Sequence, residues 1–222
     1  MSALKNRSIA EFAGTGMLVL VSAGSGIMGT ALSADVGIAL FIDMIATVFA
    51  LGLLILLLGP ISGAHLNPIV TAVFAWRKTI SLREAVTYGI FQILGAITGA
   101  ILANVMFDQN AFQTSTHTRS SVGLWIGEII ASAGLVIVIF TLIDRKSAHL
   151  ISIAAPVWIG SAYFFTSSTS FANPAVTIGR VFTNTFTGIA PSSVAGYVIA
   201  QFIGAAIGAL LVRALRMPDT TK

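Results

Sequence analysis

Six stretches of this chain, 8–30, 36–58, 84–107, 120–143, 149–167 and 193–215, are long and almost wholly apolar. A helix needs about 20 such residues to cross the hydrocarbon of a bilayer, so each stretch reads as a spanning helix. Together they take up most of the 222 residues and leave no room for a soluble catalytic domain. Only 9% of residues are charged and the mean hydropathy is +0.93. A soluble domain carries nearer a quarter charged residues, so lipid must be the solvent for this surface. Lys5 and Arg7 give the first stretch the look of a signal peptide, but its apolar run is too long and no convincing small-residue cleavage site follows. It is expected to stay as the first membrane helix.

The net charge of +4 is explained by where the cations fall. With the N-terminus inside, Lys5, Arg7, Arg77, Lys78, Arg83, Arg145, Lys146, Arg213, Arg216 and Lys222 are all cytoplasmic, and only Arg119 and Arg180 lie outside. That asymmetry is a positive-inside signal. It predicts a multi-pass protein of the inner (plasma) membrane with both termini in the cytoplasm, and it gives no reason to expect a nucleic-acid partner. Cysteine is absent, so neither a disulfide framework nor a thiolate metal site is available.

The chain also repeats itself. Tyr88, Gln92, Gly95 and Gly99 recur with the same spacing as Tyr197, Gln201, Gly204 and Gly208. His65-Leu66-Asn67-Pro68-Ile69-Val70-Thr71 echoes Phe171-Ala172-Asn173-Pro174-Ala175-Val176-Thr177, and Glu11 in the first span echoes Glu128 in the fourth. Residues 1–222 therefore read as one channel-like domain, with a first repeat at 8–107 and a second at 120–215. Each half holds three spans, so the second must be inverted relative to the first. Inverted repeats place a site near the midplane, where the halves meet. The paired glycines are small-residue patches that let helices approach closely.

Each Asn-Pro opens a short amphipathic run, 67–77 and 173–182. Such a run is about 15 Å long, roughly half the hydrocarbon thickness, so it can enter the membrane without crossing it. Proline suits the first helical position and asparagine the cap before it. Asn67 and Asn173 should therefore cap two half-helices whose N-termini face each other. The segments leading in, 61–66 and 166–172, become non-helical backbone at membrane depth, tolerated only where protein buries it or a watery path lines it. Carbonyls of Gly63, Ala64, His65, Thr169, Phe171 and Ala172 would supply acceptors along such a path, and the asparagine amides donors at its centre. The two helix N-termini each carry roughly half a positive charge and oppose cations there. Neutral hydroxylated molecules pass that test.

Ser62-Gly63-Ala64-His65-Leu66-Asn67-Pro68 and Phe171-Ala172-Asn173-Pro174-Ala175 resemble the signature of the aquaporin, or major intrinsic protein, family, and the resemblance extends over nearly the whole chain. It implies an all-α membrane fold of six transmembrane helices and two re-entrant half-helices in an inverted repeat, a homotetramer with one pore per subunit, and passive conduction with no cofactor and no metal. It also implies that Glu11 and Glu128 accept hydrogen bonds from the re-entrant loops, in preference to a proton relay. His65 is read as a loop-bracing residue rather than a metal ligand, and His117 and His149 as surface residues.

The same resemblance places an outer constriction at Thr47, Ser161, Ser170 and Val176, with Ala162 replacing Ser161 if the register is offset by one. Most family members have arginine where this chain has Val176; Arg180 lies one turn further along the half-helix. A constriction without histidine, large aromatic or charge should be wide and nearly neutral. It points to polyols, urea or undissociated metalloid acids, with water passing too, and resembles bacterial members linked to arsenic resistance. Ile69 replaces the usual alanine of the first motif and is expected only to repack the junction. Asp43 lies one turn from Thr47 on the same helical face; a vestibule carboxylate, a partner for Arg180 and a snorkelling interfacial residue are all open readings. A water-selective pore is the alternative within the family. A secondary active transporter is the alternative outside it, and would need a coupling-ion site from Asp43, Glu11 and Glu128, which lie at different depths.

Overall fold

The computed structural model describes residues 3–215; Arg216 and Lys222 of the cytoplasmic charge set lie outside them. The described residues are helical, without a strand: α1 (Ala3–Leu32), α2 (Val36–Ser62), α3 (Pro68–Trp76), α4 (Leu82–Met106), α5 (Val122–Asp144), α6 (Ile151–Phe165), α7 (Pro174–Gly179) and α8 (Pro191–Ala214). A 3-10 turn at Ala148–Leu150 leads into α6, and another at Arg180–Phe182 extends α7. Six of these helices are long and apolar enough to span a membrane, and α3 and α7 are the two short ones.

Local chemistry sets the boundaries. Asp35 caps α2 by accepting from the Gly37 and Ile38 amides at 2.7 and 3.1 Å. Ser81 and Glu84 form a reciprocal capping box on α4, and Pro191 takes the first position of α8. The second helix runs past Pro60 to Ser62 and stops at Gly63, which has φ 89°, a left-handed conformation that glycine adopts without penalty. Ile61 and Ser62 are thus helical rather than part of the entry loop, which begins at Gly63.

Packing follows the duplicated glycines. On α4, a Cβ added at Gly95 would stand 2.2 Å from the Phe12 carbonyl of α1. On α8, one at Gly204 would stand 2.3 Å from the Ile129 carbonyl of α5. Backbones this close admit no side chain, and dispersion between them replaces the hydrophobic drive that lipid cannot supply. The second helix rests on α1 and α6, while α3 and α7 both lie against α4 and α8. Ion pairs Arg7–Glu84 and Arg77–Asp144 tie α1 to α4 and α3 to α5. Phe49, Leu53, Leu56 and Leu57 on α2 are among many large apolar side chains left exposed, as a lipid-facing surface requires.

Candidate functional site: a cavity between two Asn-capped half-helices

The non-helical entry loops owe their shape to residues forced into left-handed backbone: Ala64 and Leu66 before Asn67, and Thr169, Ser170 and Ala172 before Asn173. Each such residue costs of order 1–3 kcal/mol unless its surroundings fix it. The fixing groups are two buried carboxylates. Glu11 accepts from the His65 and Leu66 amides at 3.0 and 2.7 Å and from the Ser62 hydroxyl at 2.6 Å. Glu128 accepts from the Phe171 and Ala172 amides at 2.9 and 2.8 Å.

A glutamine completes each support. Gln92 donates to Glu11 at 2.7 Å and to Thr71 at 3.0 Å; Gln201 donates to Glu128 at 2.6 Å and to Thr177 at 2.9 Å. The two threonine hydroxyls in turn donate to the carbonyls of Asn67 and Asn173. In the two loop amides, the glutamine and the threonine, the halves repeat one another. His65 is braced within this frame, its Nδ1 3.1 Å from the Thr71 hydroxyl and its ring stacked on Phe74. Ile69 is fully buried at the junction, in the apolar core beside Val70 and Ala172.

Asn67 and Asn173 are the N-caps of α3 and α7, each Oδ1 accepting from the amide two residues on. Each Nδ2 crosses to the other repeat: Asn67 donates to the Ala172 carbonyl and Asn173 to the Leu66 carbonyl, both at 2.8 Å. An amide NH2 has two hydrogens, so one remains on each asparagine for a passing molecule.

A cavity of about 100 Å³ meets both caps. Asn67, Asn173, Thr47, Ser170 and Val176 line it, as do Gly63, Ala64, His65, Phe171 and Ala172. Thr169 does not. Ser161 is also absent from the wall: it is exposed on the outside of α6, its hydroxyl returned to the Val157 carbonyl at 2.9 Å. Ala162 faces the apolar core instead. The wall residues from this part of α6 are Ile159 and Tyr163, because one residue along a helix rotates a side chain by about 100°.

The constriction expected from the sequence held no charged residue, whereas this part of the cavity wall has one. Arg180 is buried and lines the cavity beside Val176. Its guanidinium hydrogen-bonds the Ser22 hydroxyl, lies 3.9 Å from the Asp43 carboxylate and sits 4.3 Å from the centre of the Phe171 ring. Of the three open readings of Asp43, the structure has the partner of Arg180. Asp43 is buried, with Ser22, Ser25 and Thr47 donating hydroxyls to it. Tyr163 extends to the same group, its hydroxyl beside Thr47 and Ser22. Sequence reasoning missed Ser22, Tyr163 and Arg119. Arg119 holds the Gly188 and Phe186 carbonyls and faces the Phe171 ring at 5.2 Å. Ser22 had a signal available: it lies three helical turns from Glu11, on the same face of α1.

The wall is thus mixed. Ser22, Thr47, Tyr163 and Arg180 give it polar groups, and Leu18, Leu51 and Val176, which pack in one apolar cluster, stand one helical turn from Ser22, Thr47 and Arg180 on the same three helical segments.

Known proteins agree with the geometry. Residues 1–172 match the major intrinsic protein family. The chain is 44% identical over 215 residues to aquaglyceroporin AqpS of Rhizobium meliloti (strain 1021), covering 97% of this chain and 92% of that protein. It is 30% identical to the probable aquaporin TIP1-2 of Oryza sativa subsp. japonica, over 92% of this chain and 84% of that one. Among solved structures, the aquaglyceroporin from Plasmodium falciparum superposes with a TM-score of 0.72 at 21% identity, covering 96% of each chain. With its six spans, two Asn-capped half-helices and family match, this chain belongs to the major intrinsic protein family and is a passive membrane channel, not an enzyme.

Proposed function

We propose that the channel conducts small uncharged solutes larger than water: glycerol-like polyols first, then urea and undissociated metalloid acids including those of arsenic, with water passing alongside. The observation that carries this is the mixed polar and apolar wall around Val176. A polyol has a carbon edge and a hydroxyl edge, and the cavity offers Leu18, Leu51 and Val176 to one and Ser22, Thr47 and Arg180 to the other. Specificity in such sites comes from a few placed polar groups on an apolar lining. Thr47, Ser170, Val176, Arg180 and Tyr163 form the constriction in this account, and Asn67 and Asn173 its midpoint. The name of the Rhizobium relative, an aquaglyceroporin, supports the same solute class.

A narrower, water-selective pore is the second reading, favoured by the Tyr163 ring and the Arg180 guanidinium standing in the wall. Osmotic swelling of proteoliposomes separates the two: glycerol entry well above that of empty liposomes supports the first, and fast water with no glycerol entry supports the second. We further propose a homotetramer in the inner membrane, one domain of two inverted repeats (8–107 and 120–215) per subunit, with both termini in the cytoplasm. The cation asymmetry supports that orientation. Protease accessibility of a C-terminal tag in sealed vesicles tests the orientation, and native mass measurement in detergent tests the tetramer.

A further inference from the structure

Arg180 and Asp43 are 3% and 2% exposed, and they form a charge pair inside the wall of the pore. One carboxylate oxygen collects the hydroxyls of Ser22, Ser25 and Thr47 at 3.2, 3.3 and 3.1 Å, while the other faces the guanidinium. Arg119 faces the Phe171 ring as Arg180 does, but its guanidinium donates to the Gly188 and Phe186 carbonyls and it is not among the residues lining the cavity. The Arg180 Nε and the Ser170 hydroxyl are buried without a protein partner, and both residues line the cavity. Donors left open on the wall are ready for an acceptor atom of a solute.

We propose that Asp43 is a specificity-determining residue of this channel: by holding Arg180 in a neutral pair, it gives the constriction a hydrogen-bond donor without a net positive charge. A lone guanidinium in a dry, narrow passage concentrates small anions, because the low dielectric strengthens its field. Paired with a carboxylate, the same group still donates through Nε to a hydroxyl or carbonyl oxygen, but an anion meets cancelling charges. The rest of the wall cannot neutralise it, since Ser22, Thr47 and Tyr163 are uncharged. This inference goes beyond the solute class proposed above and depends on it only for which neutral molecule is carried.

The test compares water and glycerol flux through reconstituted wild type, Asp43→Asn, Arg180→Gln and the double variant, in nitrate and in gluconate at equal ionic strength. Wild type is expected to be indifferent to the anion. Asp43→Asn is expected to slow several-fold in nitrate, and the double variant to regain indifference. Arg180→Gln leaves the carboxylate alone and reverses the sign: flux slows in methylammonium and not in nitrate. Asp43→Asn that conducts water and ignores nitrate overturns the proposal. If that variant does not fold, Arg180→Gln decides, and its indifference to methylammonium overturns the proposal equally. A wild type that carries water but no glycerol contradicts the solute reading alone, because the anion effect on water flux still decides the role of Asp43.

Discussion

Asn67 and Asn173 are joined by reciprocity: each caps its own half-helix and donates its side-chain amide at 2.8 Å to the loop carbonyl just before the other. The midpoint is therefore a closed pair of hydrogen bonds rather than two independent caps. Neither asparagine can move without unpairing a carbonyl of the opposite repeat.

Asn173→Asp follows from that relationship. A carboxylate cannot donate to the Leu66 carbonyl, and it turns an oxygen towards that carbonyl oxygen. Leaving a buried acceptor unpaired costs about 1–3 kcal/mol, so the variant is expected to melt earlier and to lose most neutral-solute flux. Thermal unfolding in detergent and liposome swelling read the two effects. Unchanged flux would argue that Asn173 is not on the path.

Removal of either loop-holding carboxylate should have matched consequences. Glu11→Ala strips the acceptor from two amides, one hydroxyl and Gln92, and Glu128→Ala does the same to two amides and Gln201. At about 1–3 kcal/mol per donor left unpaired, each variant is expected to assemble poorly, with Glu11→Gln and Glu128→Gln milder. Yield of monodisperse protein on a sizing column is the measurement. A large loss for one half and none for the other would contradict the shared loop-holding role of the two glutamates.

Helix approach is tested by contrast. Gly95→Ala would force a methyl against the Phe12 backbone carbonyl, whereas a Cβ at Gly89 on the same helix meets nothing within 4 Å. Overpacking of this kind costs typically 1–3 kcal/mol or more, and a backbone carbonyl cannot step aside. Gly95→Ala should lower the melting temperature clearly and Gly89→Ala should not. Equal behaviour of the two would contradict close α1–α4 packing.

Val176→Arg places another cation in the wall, one turn from Arg180. It is expected to cut glycerol entry severalfold while water flux is largely kept. Glycerol entry equal to wild type would mean that Val176 does not border the narrowest point.

These outcomes bear on how much of the channel could be read from residues alone. The Asn-Pro caps, the glutamates and the glycine pairs were legible because a duplicated sequence shows each feature twice, and Thr47 because the family resemblance, counted from the asparagines, falls on a regular helix there. Ser161 was misplaced because the register was counted from Asn173 back through a loop with three left-handed residues, Thr169, Ser170 and Ala172. An error of two residues turns a side chain to the opposite side of the helix, and the all-round apolar α6 gives no periodicity to correct it. Arg180 was read as lying outside the constriction because position was taken for reach. Its long side chain reaches Ser22 and Asp43; the Asp43 pairing was one of three readings open in the sequence, and no local pattern chose among them.

The central claim is that solutes move down their own gradient through the cavity that Asn67 and Asn173 line. Stopped-flow light scattering of proteoliposomes under a glycerol gradient, with and without an imposed proton or sodium gradient, tests it most directly. The account predicts glycerol entry that rises linearly with its gradient and ignores the ions. Entry that saturates and is driven by the imposed ion gradient would contradict it.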